Sequence, residues 1–153
     1  MKYFIFLLFP ISLFASKISI SADEFKTNVD KLISTFTGNV HFKMDKNEIK
    51  AGEIIVKFSK NKKPILYEAQ NNIEVNIDQN GRKLILVARE LRYYPKKNII
   101  ILNKNVVLQE EDKSEIKADK IVVNLKTNDI KITGSNNNPV QVIFENFNKD
   151  DIK

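Results

Sequence analysis

The chain carries few side chains of the kinds that do chemistry. It has no cysteine, which excludes disulfides, thiolate metal sites and cysteine nucleophiles. Its only histidine, His41, cannot form a two-histidine metal site or relay. His41 alternates with Val40 and Phe42, so it is predicted to face solvent, with no nucleophile beside it to activate. We therefore expect no enzymatic activity, no metal and no other cofactor.

The charged residues and glycines point to no catalytic or phosphate-binding motif either. The acidic pair Glu110-Glu111 lies in a predicted turn, where charges are solvated, and the four glycines are too far apart for a phosphate loop. The net charge of +6 is mild and spread along the chain, so nucleic-acid binding is the weakest non-enzymatic alternative. The lysines at positions 46, 50, 60, 62, 63, 96, 97 and 104 are expected to be solubility residues of turns and outer faces.

The first fifteen residues have the composition of an export signal. Met1-Lys2 is a short basic start, residues 3–14 are almost continuously apolar, and Ala15 is a small residue at the cleavage position. The apolar run is shorter than the roughly 20 residues needed to span a bilayer. We expect residues 1–15 to be cleaved and the mature protein to begin near Ser16. The alternatives are an N-terminal buried strand or an uncleaved anchor.

Apolar residues recur at every second position through most of the remaining chain, which predicts strands with one buried face. Polar turns separate them, among them Asn80-Gly81, which is typical of tight hairpins. The sequence predicts an all-β protein, with at most a helical turn near residues 23–31. The predicted runs are Ile18-x-Ile20, Phe36-x-x-x-Val40-x-Phe42, Ile54-x-Val56-x-Phe58, Ile73-x-Val75-x-Ile77, Leu84-x-Leu86, Ile121-x-Val123-x-Leu125 and Val140-x-Val142-x-Phe144.

Two signatures repeat along the chain. Asn39, Asn72, Asn105 and Asn138 are spaced 33 residues apart, the first three preceding apolar alternation. An apolar-x-Ala-x-x-apolar step recurs with its alanine at positions 22, 51, 88 and 118. Such repeats indicate stacked β-hairpins that bury their faces against their neighbours. The alanine step interrupts strict alternation, so we expect a bulge or bend there. The alternative is a compact β-sandwich with coincidental spacing.

These motifs together resemble the OstA-like (LptA) family of lipopolysaccharide-export proteins. The residues that carry the resemblance are Ile18-Ser-Ile-Ser-Ala-Asp23, Phe36-Thr-Gly-Asn-Val40, Ile49-Lys-Ala-Gly-Glu-Ile54, Asn105-Val-Val-Leu-Gln109 and Ser114-Glu-Ile-Lys-Ala-Asp-Lys-Ile121. The resemblance implies an open, twisted antiparallel β-jellyroll over residues 16–145. It also implies a location in the periplasm of Gram-negative bacteria and an interior that carries lipopolysaccharide. The polar tail, residues 146–153, leaves the C-terminal contact with a partner undefined.

We expect an apolar slot that shelters acyl chains, because each exposed CH₂ costs roughly 0.8 kcal/mol in water. Strand alternation nominates the lining residues, and the resemblance implies that Ile18, Val75 and Tyr93 lie on the lipid path. Each could also serve packing alone. The fourteen candidates are Ile18, Ile20, Phe36, Val40, Phe42, Ile49, Val56, Val75, Leu91, Tyr93, Val106, Leu108, Ile121 and Val123.

The first and last strands are expected to leave unpaired edges, which favour head-to-tail association. The predicted edge residues are Ile18, Ser19, Ile20 and Ser21 at one end, and Val140, Gln141, Val142, Ile143 and Phe144 at the other. The resemblance implies a bridge between the two membranes, with partners in the export machinery of each.

Two other readings of the sequence remain. An LptC-like component of the same machinery would keep its N-terminal segment as an inner-membrane anchor, so the exported protein would retain Met1 rather than begin near Ser16. A structural β-repeat filament would polymerise but would not bind lipopolysaccharide.

Overall fold

The computed structural model describes residues 17–79, 81–111 and 114–144. The predicted export signal (1–15) and polar tail (146–153) lie outside them. Within these ranges, no helix is long and apolar enough to cross a membrane. The strands are β1 (Ile18–Ser21), β2 (Glu24–Asn28), β3 (Ile33–Met44), β4 (Asn47–Phe58), β5 (Pro64–Gln79), β6 (Arg82–Tyr94), β7 (Ile99–Glu110), β8 (Glu115–Asn124), β9 (Ile130–Thr133) and β10 (Gln141–Ile143).

All ten strands belong to one antiparallel sheet, which confirms the predicted fold class. Strands β3 to β8 follow one another as a meander. At one end β1 and β2 pair with the two halves of β3, and at the other end β10 and β9 pair with the two halves of β8. Each end of the sheet is therefore completed by two short strands instead of one long strand.

The long strands bend at a common level, and the asparagine repeat marks that level. At each repeat two successive residues of β3, β5 or β7 adopt left-handed backbone conformations, and the ladder shifts register there. Glycine and asparagine tolerate this conformation best. The pairs are Gly38-Asn39 (φ 82° and 47°), Asn71-Asn72 (69° and 54°) and Lys104-Asn105 (69° and 51°).

The alanine repeat lies opposite, on the neighbouring strands. Ala51 and Ile54 both face the interior although an odd number of positions separates them, so the alternation shifts at the alanine step as expected. The extra residue of the bulge, however, is on the asparagine-bearing strand, where the left-handed pair opposes a single residue. The bend therefore lies at the alanine step, as expected, and the extra residue belongs to the neighbouring strand.

Side chains connect neighbouring strands along this line of bends. The Asn39 amide donates to Asp23 (Nδ2–Oδ2 2.9 Å), and 99 residues further along the chain the Asn138 amide donates to Asp119 (Nδ2–Oδ1 2.8 Å). The residue after the first and the last of the repeated alanines thus accepts a hydrogen bond from an asparagine of the 33-residue repeat. These contacts hold the bend at the first and last strands, where no further strand supports it.

The bends fold the sheet into two layers, joined along the line of bends, that pack face to face. Phe42 of one layer contacts Tyr67 and Tyr93 of the other, with ring centroids 5.0 and 6.2 Å apart. Layer A contains β1, residues 40–44, 47–51, 73–79, 82–88, 106–110 and 115–118, and β10; layer B contains β2, residues 33–37, 53–58, 64–70, 90–94, 99–103 and 120–124, and β9.

Residues 23–31, where the sequence allowed at most a helical turn, contain no helix. Residues 24–28 form β2, and Phe25 pairs with Phe36 of β3, with ring centroids 4.8 Å apart. The segment resembles a helix only locally, and the strand pairing with β3 outweighs that preference. A turn follows in which the Lys31 backbone N–H donates to Asn28 Oδ1 (3.0 Å).

The position of the bend predicts that two glycines with positive φ differ in how much stability is lost when each is replaced by alanine. A Cβ at Gly38 (φ +82°) would lie 2.6 Å from Asp23 Oδ2, whereas at Gly81 (φ +85°) it would meet nothing within 4 Å. Gly81→Ala should cost only the backbone strain, about 1 kcal/mol of unfolding free energy. Gly38→Ala should cost about 2–3 kcal/mol, because the Asp23 contact must also move. Urea denaturation measures both, and equal losses would contradict this account of the bend.

Candidate functional site

All fourteen predicted lining residues face the space between the layers. Twelve of them are buried, and Ile18 and Ile20 are half-buried on β1, where the sheet ends. Adjacent strands align these side chains in rows, for example Phe42 opposite Ile49, which is opposite Val75. The arrangement is what strand alternation requires, and it is equally compatible with packing and with lipid contact.

The interior contains further apolar residues that the candidate set omitted. Alternation resumes beyond each bend, so both halves of every long strand contribute. Tyr67 and Leu102 lie in strand halves that the sequence analysis did not identify, because turn residues and charges hide the pattern around them. The omitted buried residues are Ala51, Ile54, Phe58, Tyr67, Ala69, Ile73, Ile77, Leu84, Leu86, Ala88, Ile100, Leu102 and Ala118.

The two layers are joined along the bend and separate along the opposite side, which we call the seam. Hairpin turns of layer A and layer B face each other there. In the part of the chain that the structure describes, no strand of one layer pairs with a strand of the other across the seam. Side chains close it instead, and the Tyr93 hydroxyl donates across it to Met44 Sδ (3.5 Å).

The interior beside the seam is almost filled. A crevice of about 10 Å³ remains, room for roughly one water molecule. Its lining comes from both layers and is apolar apart from one asparagine: Phe42, Met44, Asn47, Ile49, Val75, Ile77, Tyr93, Ile100 and Leu125. Among the described residues, this part of the seam leaves no room for an acyl chain beside the side chains that line it. An acyl chain can enter only if the layers part and these side chains move.

Two stacked tyrosines beside the seam have hydroxyl groups that resist deprotonation. The Tyr67 and Tyr93 rings are 5.5 Å apart and nearly parallel. Burial raises the pKa of the Tyr67 hydroxyl well above its ordinary value, and the neighbouring Tyr93 raises it further. Burial also raises the pKa of Tyr93. Both rings therefore remain neutral over the physiological range and form part of the apolar wall.

The predicted edge residues lie at opposite ends of the sheet. β1 contains all four residues of the first edge, and β10 contains Gln141, Val142 and Ile143 of the second, while Val140 and Phe144 flank β10. The sequence analysis missed that β2 and β9 complete these edges in layer B. At the C-terminal end Val142 and Phe144 are 49% and 66% exposed, and no further strand of the described residues covers them.

A polar clamp positions the C-terminal edge. Ser135 and Asn138 form an isolated β-bridge between β9 and β10. Hydrogen bonds from Ser135, and then from Asn138, lower the pKa of Asp119, which favours its charged form. The chain therefore turns into layer A at the same level as the other bends, and β10 extends that layer.

Comparison with known proteins identifies the family. A family profile described as "LptA/(LptD N-terminal domain) LPS transport protein" matches residues 19–129, most of the chain. The chain belongs to this LPS transport family. No curated relative of significant sequence similarity was found.

A solved structure supports the fold of this LPS transport family member. The chain is similar to LptH, described as the LptA homologous periplasmic component of the conserved lipopolysaccharide transport device from Pseudomonas aeruginosa. The TM-score is 0.73 at 11% sequence identity, covering 84% of this chain and 94% of LptH. At this identity the likeness concerns the fold, which confirms the β-jellyroll architecture.

The stacked tyrosines predict a loss of stability at alkaline pH. An unfolded tyrosine loses its proton near pH 10, whereas folded Tyr67 retains it, so the folded state binds more protons above that pH. The free energy of unfolding should then fall by up to about 1.4 kcal/mol per pH unit from this residue. Urea denaturation of the wild type and of Tyr67→Phe between pH 8 and 11.5 measures the effect. The wild type should lose stability faster above pH 10, and parallel curves would contradict the prediction.

Proposed function

We propose that this protein carries lipopolysaccharide through the periplasm, with acyl chains held between layers A and B. The observation that carries the proposal is the seam, an apolar closure with no strand pairing across it, in front of an interior lined by apolar side chains. Membership in the LPS transport family supports the cargo, and the sequence of residues 1–15 supports export.

The physical reason for such a carrier is the cost of hydrating acyl chains. Each CH₂ exposed to water costs roughly 0.8 kcal/mol, so several chains cannot cross an aqueous compartment unprotected. Opening the seam breaks side-chain contacts but no strand ladder, and the entering acyl chains replace the contacts that are lost. The bend stays intact because each long strand runs through it from one layer into the other. The layers can thus part on one side only.

The proposed lipid-contacting residues are the fourteen candidates named from the sequence. They line both layers without a specific polar group, so they suit chains of variable length and position. A uniform interior holds lipid equally well at every point and cannot give transport a direction. Direction must come from an energy-consuming partner at the inner membrane. Modest affinity is then an advantage, since the cargo must leave.

We further propose that copies of the chain associate head to tail, so that successive interiors form a bridge between the two membranes. The C-terminal edge, with Val142 and Phe144 exposed, would pair with the edge β1 of the next copy. Such a contact is heterologous and extends without closing into a ring. The same edges would dock the inner-membrane and outer-membrane components.

Photocrosslinking tests the cargo and the lining residues. A photoreactive amino acid at position 75 or 93 should crosslink to lipopolysaccharide in living cells, because both side chains are buried between the layers. The same amino acid at position 74 or 92, on the outer face of the same strands, is the matched control and should give no lipid adduct. If the protein polymerises but none of the photoreactive positions yields a lipid adduct, the protein is a structural filament and not a carrier.

Locking the seam tests the entry route, and the absence of native cysteine makes this simple. In the variant Asn47→Cys/Leu125→Cys the two thiols lie on opposite sides of the crevice. Joining them with a short bis-methanethiosulfonate should reduce lipopolysaccharide binding about tenfold or more, because the open state is depleted. Reduction of the linker should restore binding.

The matched control for the lock joins two residues of one layer. In Asn47→Cys/Asp78→Cys both positions belong to layer A, where the Asp78 backbone N–H donates to Asn47 Oδ1 (3.0 Å). The same linker should leave binding unchanged there. If the cross-seam lock also leaves binding unchanged, lipid does not enter between the layers along this side.

A further inference from the structure

The turns along the two sides of the seam differ in charge. We call the turns of layer B, residues 29–32, 59–63, 95–98 and 125–129, the B lip. The B lip contains seven lysines, all exposed, and two aspartates: Lys31, Lys60, Lys62, Lys63, Lys96, Lys97 and Lys126, with Asp30 and Asp129. The formal net charge of the whole chain is +6. The B lip, with seven lysines and two aspartates, has a formal net charge of +5.

Backbone hydrogen bonds hold these turns side by side. The Phe58 N–H donates to the Leu32 carbonyl (2.9 Å), which joins the first turn of the B lip to the second. The Leu125 N–H donates to the Asn98 carbonyl (2.8 Å), which joins the third to the fourth. Since strands are spaced by ~4.8 Å, successive hairpin turns lie about 10 Å apart. The seven lysines are therefore carried by four neighbouring turns along one side of the seam.

The lysines of the B lip are not neutralised by the protein. Among the described residues none of the seven takes part in an ion pair, and Lys97 lies over the Tyr94 ring (Nζ to centroid 5.8 Å). Some lysines of the outer faces do form ion pairs, as Lys57 does with Glu68 (2.8 Å) and Lys104 with Glu90 (2.8 Å). What distinguishes the lysines of the B lip is that they are clustered in adjacent turns along one side of the seam.

The opposite side of the seam has no such excess of cations. We call the described layer A turn residues, 45–46, 81 and 111, the A lip. They include Asp45, Lys46 and Glu111. Next to them Arg82 forms an ion pair with Glu110. An amphiphile whose chains pass through the seam thus meets a cationic border on one side and a slightly anionic border on the other.

We propose that the B lip binds the phosphate groups of the amphiphile whose acyl chains enter the seam, and so fixes the cargo in one orientation, headgroup over layer B. The inference rests on the proposed function and adds which part of the cargo is recognised and where. Two crevice residues lead directly into the lip: Leu125 precedes Lys126, and Tyr93 lies three positions before Lys96. The apolar crevice and the cationic B lip are therefore adjacent, as the acyl chains and the phosphate groups are in a phosphorylated lipid.

Lysine suits this role because its ammonium group is a mobile point charge that follows a phosphate without fixed geometry. Each exposed contact is weak, but several ammonium groups acting on one dianion add up. We expect the wild type to bind a bis-phosphorylated lipid A about tenfold more tightly than the same lipid A with its phosphates removed, at low salt. Raising the salt from about 0.05 to 0.5 M should abolish most of the difference, because the lip is exposed to solvent.

The test compares two variants that lose the same number of charges. The lip variant is Lys60→Gln, Lys63→Gln, Lys96→Gln and Lys97→Gln; the control is Lys83→Gln, Lys117→Gln, Lys120→Gln and Lys131→Gln, four exposed lysines outside the B lip. Binding of both lipid A forms is measured with the mature chain. The lip variant should bind the two forms equally and the control should keep the tenfold preference.

The outcomes separate the inference from the proposed function. If the wild type binds neither lipid A form, the carrier function fails. If it binds both forms equally, or if the lip and control variants lose the preference to the same extent, the carrier function stands and the B lip inference is overturned. A lip variant that loses binding to anionic phosphatidylglycerol vesicles while keeping its lipid A preference also overturns it, since the lip would then contact a membrane surface.

Discussion

The bend of the sheet is the constraint on which the structure depends. An antiparallel sheet of this length with one apolar face would expose that face to water if it stayed flat. Consecutive left-handed residues at 38–39, 71–72 and 104–105 fold the sheet at one level, so that its apolar face meets itself. Asparagine and glycine, which adopt the left-handed conformation at low energetic cost, occupy five of the six positions, and Lys104 occupies the sixth. The interior, the seam and the two edges all follow from this fold.

The two long sides of the molecule are held by different forces. Along the bend, the strands run continuously from one layer into the other and their ladders resume on both sides of each bulge, which makes that side resistant to opening. Along the seam, apolar side chains meet with no ladder between them, so separation costs only the burial of those side chains. That asymmetry reconciles a nearly filled interior with a carrier function. The chain needs no permanent cavity, since lipid and seam side chains compete for the same apolar space.

Much of the fold was predictable because it depends on local patterns. Alternation assigns the inward face of each strand, and all fourteen nominated residues do face the interior. The alanine steps located the bend, and the 33-residue asparagine spacing indicated the stacked hairpins. The sequence pattern did not predict the elements whose conformation depends on strand pairing. Residues 24–28 form a strand because they pair with β3. The strand halves that contain Tyr67 and Leu102 are recognisable only from their pairing within the sheet. The contact of individual residues with lipid remains a prediction.

The sequence by itself determined the class of the protein: its all-β repeat, its apolar inner face, its lack of cysteine and its family. Tertiary structure alone decided how narrow the crevice beside the seam is and that the B lip exists. Packing density depends on how side chains from two distant layers interdigitate, which periodicity along one strand does not specify. The lysines of the B lip come from turns up to 95 positions apart, and only the stacking of alternate hairpins at one side of the seam makes them neighbours.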